Sequence, residues 1–192
     1  MKRIGVMLLA VVIIVSLCVG FYFVNENSKR NSNEEKTLTE IQKITTKDLS
    51  KNYPPTPREV VKLYNRILMC YYRGECSDEE LSQLADKALG LFDEQLLEVN
   101  EKNAYIAAVK EDIASYEDAD KVMTQMDVCE SNDVKYLNDN GDEIAYVDAS
   151  YFIKDNGDFE KTYQQYVLRK DADGNWKILS FYQIEGDSSE EE

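Results

Sequence analysis

Residues 139–185 read DNGDEIAYVDASYFIKDNGDFEKTYQQYVLRKDADGNWKILSFYQIE. Three turn signals punctuate the stretch: Asp139-Asn140-Gly141-Asp142, Asp155-Asn156-Gly157-Asp158 and Asp171-Ala172-Asp173-Gly174-Asn175, sixteen residues apart each time. Asn-Gly and Asp-Gly tolerate the positive φ of tight hairpin turns, and here they separate runs rich in β-branched and aromatic residues. The pattern predicts a four-stranded antiparallel meander over about 122–137, 143–154, 159–170 and 176–185.

The turns also set registers. With Asn156-Gly157 at one tip, Val147 faces Tyr166 and Ala145 faces Leu168. With Asp173-Gly174 at the next, Tyr166 faces Phe181 and Leu168 faces Leu179. With Asn140-Gly141 at the first, Val134 faces Val147 and Tyr136 faces Ala145. All of these fall on one face, and Val122, Met126 and Val128 share its parity. Side chains alternate along a strand, so three turns agreeing on one apolar face specify the sheet. The other face collects Tyr146, Asp148, Ser150, Tyr163, Gln165, Val167, Ser180 and Tyr182.

Upstream the period becomes helical. Thr56-Pro57-Arg58-Glu59 and Ser77-Asp78-Glu79-Glu80 both have capping-box spacing. Each precedes an amphipathic run: Val60, Tyr64, Ile67 and Tyr71 after the first, Leu81, Leu84, Ala85, Ala88 and Phe92 after the second. A third helix is expected from about Asn103 to Tyr116, with Tyr105, Ala108, Val109, Ile113 and Tyr116 on one side. A short helix within Thr37–Lys51 leads into the domain, and Tyr53-Pro54-Pro55 is an extended stop. The fold class is therefore α+β, with helices packed on the apolar face of an antiparallel sheet.

Ile4–Val24 is an unbroken uncharged run, long enough as a helix to cross a bilayer. Lys2 and Arg3 precede it, so the positive-inside rule puts everything after it outside the cytoplasm. The bulky Phe21-Tyr22-Phe23-Val24 argues against a cleaved signal peptide, and Leu17-Cys18 is a poor lipoprotein signal. The expected organisation is a cytoplasmic tip and transmembrane anchor (1–24), a polar stalk (25–52), the α+β domain (53–186) and a disordered acidic tail (187–192).

Net charge is −15, and since the first 24 residues contribute only Lys2 and Arg3, the remainder stands at −17. Such a surface excludes nucleic acid as a partner. There is no histidine, which removes the commonest general base and transition-metal ligand. Cys70, Cys76 and Cys129 have no zinc-site spacing; a Cys70–Cys76 bridge is open to an oxidising compartment, and idle thiols are the preferred reading. No cofactor or metal is expected. The Asp-rich turns lack the ligand set of a calcium loop.

The stretch Tyr166-Val-Leu-Arg-Lys-Asp-Ala-Asp-Gly-Asn-Trp-Lys-Ile-Leu-Ser-Phe, behind three helices, resembles the closing hairpin of the cystatin-like cone of the nuclear transport factor and ketosteroid isomerase superfamily. The anchor together with Asn52-Tyr-Pro-Pro-Thr-Pro-Arg-Glu-Val-Val-Lys-Leu-Tyr-Asn is similar to a small family of uncharacterised bacterial anchored proteins. The resemblance implies a cone fold over about 53–186. It does not choose among the isomerases, cyclases, dehydratases and binding modules of that superfamily.

The residues that point to function are few. Tyr146, Asp148, Tyr163, Gln165 and Tyr182 form a polar, aromatic face suited to a ligand, a protein partner or a homodimer. Asp112 lies within the third helix's apolar stripe, where burial would raise its pKa and make it a base. The reading is an anchored extracytoplasmic binding or interaction module. Its rivals are a lyase- or isomerase-like enzyme using Asp112 or Asp148 with a tyrosine, and a structural subunit of a membrane complex.

Overall fold

The computed structural model describes residues 38–73, 76–155 and 157–186. The chain divides into two units, Met1–Leu38 and Thr39–Glu192, and the described residues belong almost wholly to the second. The expected anchor, the first part of the stalk and the acidic tail lie outside the described residues. Among those described, no helix is long and apolar enough to cross a membrane.

Among the described residues five helices precede the sheet: α1 (Glu40–Thr45), α2 (Pro57–Tyr72), α3 (Asp78–Leu89), α4 (Glu94–Glu98) and α5 (Lys102–Asp118). Four of these starts have side-chain caps, and only α5, after Glu101, has none. Thr39 and Gln42 form a complete capping box on α1, as Ser77 and Glu80 do on α3. On α2 the box is half made. Thr56 accepts from the Glu59 N–H, but its hydroxyl, not its backbone N–H, meets the Glu59 carboxylate. Caps of this kind stabilise a helix by about 1 kcal/mol each.

The domain begins earlier than expected. Ile44 of α1 is 1% exposed within the core and Leu49 packs against it, so residues 39–52 are part of the domain and not stalk. The sequence also hid α4, which is a single turn capped by Asp93.

The fold is α+β with a five-stranded antiparallel sheet: β1 (Lys121–Val128), β2 (Lys135–Asp139), β3 (Asp142–Asp155), β4 (Asp158–Lys170) and β5 (Trp176–Ile184). The expected first strand is two. Both pair with β3, β1 along its C-terminal half and β2 along its N-terminal half. The chain leaves the ladder between them, where Arg58 of α2 takes the carbonyl of Cys129 at 2.5 Å. Asn140 and Gly141 both have positive φ, as a two-residue hairpin with twist-compatible geometry requires.

Val147–Tyr166, Ala145–Leu168, Tyr166–Phe181 and Tyr136–Ala145 pair as the turns predict. Met126 and Val128 pack against the core and Val134 is buried in it, as expected, but two bulges overturn the placing of Val122 and Leu179. A bulge at Thr124 puts Met123 in the core, so Val122 is exposed instead of apolar-facing. A bulge in β5 pairs Leu168 with Ile178, leaving Leu179 as the extra residue. A bulge inserts one residue and inverts parity beyond it, so counting from a turn fails there. Phe181 keeps its register but is 40% exposed, because it lies at the open end of the helix layer against Tyr64 and Tyr166. Tyr136 likewise lies beyond the helices, exposed, with its ring against Trp176.

The core sits between α2, α3 and the face of Ala145, Val147, Ala149, Tyr151, Tyr166, Leu168 and Ile178. Residues Leu91–Asp93 run beside the outer edge of β5: the Ile178 N–H donates to Leu91 O, and the Asp93 N–H to Ile178 O. Those bonds occupy the edge strand at Ile178.

Candidate functional site

The predicted outer face assembles. Asp148, Gln165 and Tyr182 occupy one row across β3, β4 and β5. Gln165 donates through Nε2 to Asp148 Oδ1 at 2.8 Å, and the Tyr182 hydroxyl donates to Gln165 Oε1 at 2.5 Å. Tyr146 stands one row away, between Lys135 and Val167. Tyr163 is partly covered: Lys161 Nζ lies 4.9 Å from its ring centroid, and a Cβ on Gly186 would fall 2.3 Å from its Cε2. The closing segment of the chain can pass there because residue 186 has no side chain. The row satisfies its own polar groups, so it is a recognition surface only for a partner that re-forms those bonds.

Asp112 does not join it. It is exposed on α5, not buried, and accepts a hydrogen bond from the Tyr72 hydroxyl. The stripe that was to bury it is shallow: Tyr105 is the buried residue of α5, Ala108 is exposed, and Val109, Ile113 and Tyr116 are half-buried. Tyr72 and Tyr116 pack with ring centroids 4.7 Å apart, so Asp112 belongs to the seam between α2 and α5.

Asp171 is spent within its own turn, where Oδ1 accepts from the N–H groups of Asp173 and Asn175 at 3.0 and 2.8 Å. Among the described residues no group of acidic or thiol side chains is arranged to hold a metal ion. No disulfide joins Cys70, Cys76 and Cys129 to one another, and Cys76 Sγ donates to Cys70 O. Burial raises the Cys70 and Cys129 pKa values, which suits idle thiols rather than nucleophiles.

A second site was missed. Arg58, Lys62, Asn65, Arg66, Met69 and Arg73 recur at helical spacing along one side of α2 and face Thr124–Val128 of β1. Between them lies an open groove of about 650 Å³. Its floor is Asn65, 3% exposed. Asn65 Oδ1 lies 3.1 and 3.2 Å from the hydroxyls of Tyr151 and Tyr166, which lie 2.5 Å apart, so the two phenol protons are shared among these contacts and Gln164 Oε1. Its Nδ2 has no hydrogen-bond partner. The hydroxyls of Tyr71 and Tyr105 are also buried without one, but neither lines this groove. Four basic positions on one helix of an acidic chain were the available signal. The apolar stripe of the same helix drew the reading instead.

Residues 1–181 match a family described as a domain of unknown function, DUF6715. The chain belongs to the DUF6715 family. The DUF6715 match takes in the apolar N-terminal run together with the helices and nearly all of the sheet, so run and domain are one family unit. No curated protein matches the chain.

Proposed function

We propose that this chain is a ligand-binding module, not an enzyme, held in a membrane by residues 1–24 with its α+β domain outside the cytoplasm. The observation that carries the binding reading is the unpaired Nδ2 of Asn65 at the floor of an open groove. A buried donor left unpaired costs about 1–3 kcal/mol, which a bound acceptor would recover. The groove's volume of about 650 Å³ falls in the range of small-molecule sites. No cysteine or histidine lines it. Binding therefore accounts for the lining better than acid–base or nucleophilic chemistry.

The anchored topology rests on Lys2 and Arg3 ahead of an uncharged run, and on one family spanning run and domain. The fold reading that best accommodates three long helices before a bulged meander is a cystatin-like cone. Such a cone would make the row Asp148–Gln165–Tyr182 an outer surface for a protein partner or a second copy.

The test of binding is a thermal-shift panel of small molecules, cationic, neutral and anionic, on the full chain in detergent micelles. At least one should raise the melting temperature, as a ligand bound to the folded state must. The effect should disappear in Lys62→Glu/Arg73→Glu. No shift from any member would overturn the reading. Protease added to intact protoplasts should digest the domain; full protection would overturn the topology.

A further inference from the structure

We propose that the α2–β1 groove takes an organic monocarboxylate with an apolar body. This names the ligand class of the binding reading and rests on it. Charge comes first. Arg58, Lys62, Arg66 and Arg73 line the groove against Glu40, Asp127 and Glu130, one net positive charge in a chain of net −15. Two of the cations are spent within the protein. Arg58 donates to the carbonyls of Val128 and Cys129 and pairs with Glu130. Arg66 pairs with Glu40 at 2.6 Å. Lys62 and Arg73 have no carboxylate partner among the described residues. One net positive charge balances one negative charge. A doubly charged phosphate would face Asp127 and Glu130 with a charge left over.

Hydrogen bonding comes second. The unpaired Nδ2 of Asn65 needs an acceptor, while its Oδ1 already faces the two tyrosine hydroxyls. The ligand must therefore accept at the floor, as a carboxylate oxygen does. Cations at the rim and an amide donor beneath them suit one planar group with two acceptor oxygens.

Shape comes third. Met69, Met126 and Val128 are half-buried on the groove's wall and supply an apolar, adaptable surface. A groove of about 650 Å³ has room for far more than a carboxylate, and that wall takes the remainder of the molecule.

The experiment uses the full chain in detergent micelles and isothermal titration with four probes: 4-phenylbutyrate, its neutral amide, succinate and inorganic phosphate. 4-Phenylbutyrate should bind saturably at millimolar concentration, and the amide should not. Lys62→Gln and Arg73→Gln are exposed changes that spare the fold, and each should weaken binding about tenfold, the worth of one charge-assisted hydrogen bond. Asn65→Asp keeps the acceptor used by the two tyrosines but removes the donor. It should abolish binding while a melting curve shows the domain still folded. Equal binding of the amide, or binding unchanged in the Lys62 and Arg73 variants, overturns the monocarboxylate assignment. So does preference for succinate or phosphate. If all four probes fail while another member of the thermal-shift panel binds, the ligand class falls and the binding reading stands. If the panel fails too, both fall.

Discussion

Arg169 of β4 reaches across β5 and grips Asp93 with two prongs, Nη2 to Oδ1 at 2.6 Å and Nε to Oδ2 at 3.0 Å. Asp93 is 5% exposed, and the same carboxylate caps α4 through the Gln95 N–H. One ion pair thus locks the edge segment Leu91–Asp93 to the sheet and starts the next helix. Arg169→Ala should cost roughly 3 kcal/mol, because it leaves a buried carboxylate without its partner. Removing both partners should cost less than the sum of the single changes. Denaturant melts of the four chains check this, and full additivity would dissolve the pair as an energetic unit.

The two faces of the sheet should respond differently. Ile178→Ala opens a cavity in the core and should cost about 2–5 kcal/mol. Tyr146→Ser with Tyr182→Ser alters the outer face and should cost about 1 kcal/mol in all. Phe181→Ala should fall between them, since that ring is 40% exposed yet touches Tyr64 and Tyr166. A tyrosine pair as damaging as Ile178→Ala would mean the outer face is structural.

Alkali should unfold the domain. Burial raises the pKa of Tyr53, Tyr64, Tyr71, Tyr72, Tyr105, Tyr116, Tyr151 and Tyr166, with Tyr151 pushed up to about 12. The unfolded chain ionises its tyrosines near pH 10. Below that value the stability is fully present. Above it the unfolded state holds fewer protons than the folded one, so stability falls as pH rises. Burial lowers the pKa of Lys177, which opposes this, but it is one group against eight. The melting temperature should drop steeply above pH 10, with the larger part of the tyrosinate absorbance rising together with the loss of secondary structure. Full tyrosinate absorbance reached before any loss of secondary structure would contradict the burial of these eight. The chain has no histidine, so no histidine step intervenes between pH 5 and 8.

Asp120 joins α5 to β1 with φ of 54°, a left-handed conformation that glycine adopts without cost. Asp120→Gly should raise stability by up to about 1 kcal/mol, measured as the midpoint of a urea titration. A loss of more than that would show that the carboxylate contributes something the geometry does not reveal.

The hairpins were legible in the sequence because their turns are chemical. Asn140-Gly141, Gly157 and Asp173-Gly174 set pairings that hold along β3 and β4. Legibility stopped at Thr124 and Leu179, since no residue type announces a bulge, and at Asp93–Glu98, too short for a period. The outer row Asp148–Gln165–Tyr182 followed from parity alone. The groove did not, because it needs α2 and β1 brought together across some sixty residues of chain. Asp112 misled for the converse reason: its neighbours on α5 have helical spacing, but little packs over them.

The covering of β5 by Leu91–Asp93 has a consequence for biosynthesis. Tyr53 bonds Trp176 O, Gly90 O accepts from Lys177, and Ile178 exchanges bonds with Leu91 and Asp93. Every one of these joins segments that flank the core helices to β5, the last strand of the domain. A nascent chain halted before Trp176 has its helices and most of its sheet, yet lacks the strand that seals them. Commitment to the native state therefore waits until β5 has been synthesised, and deleting β5 should be as damaging as deleting a core helix.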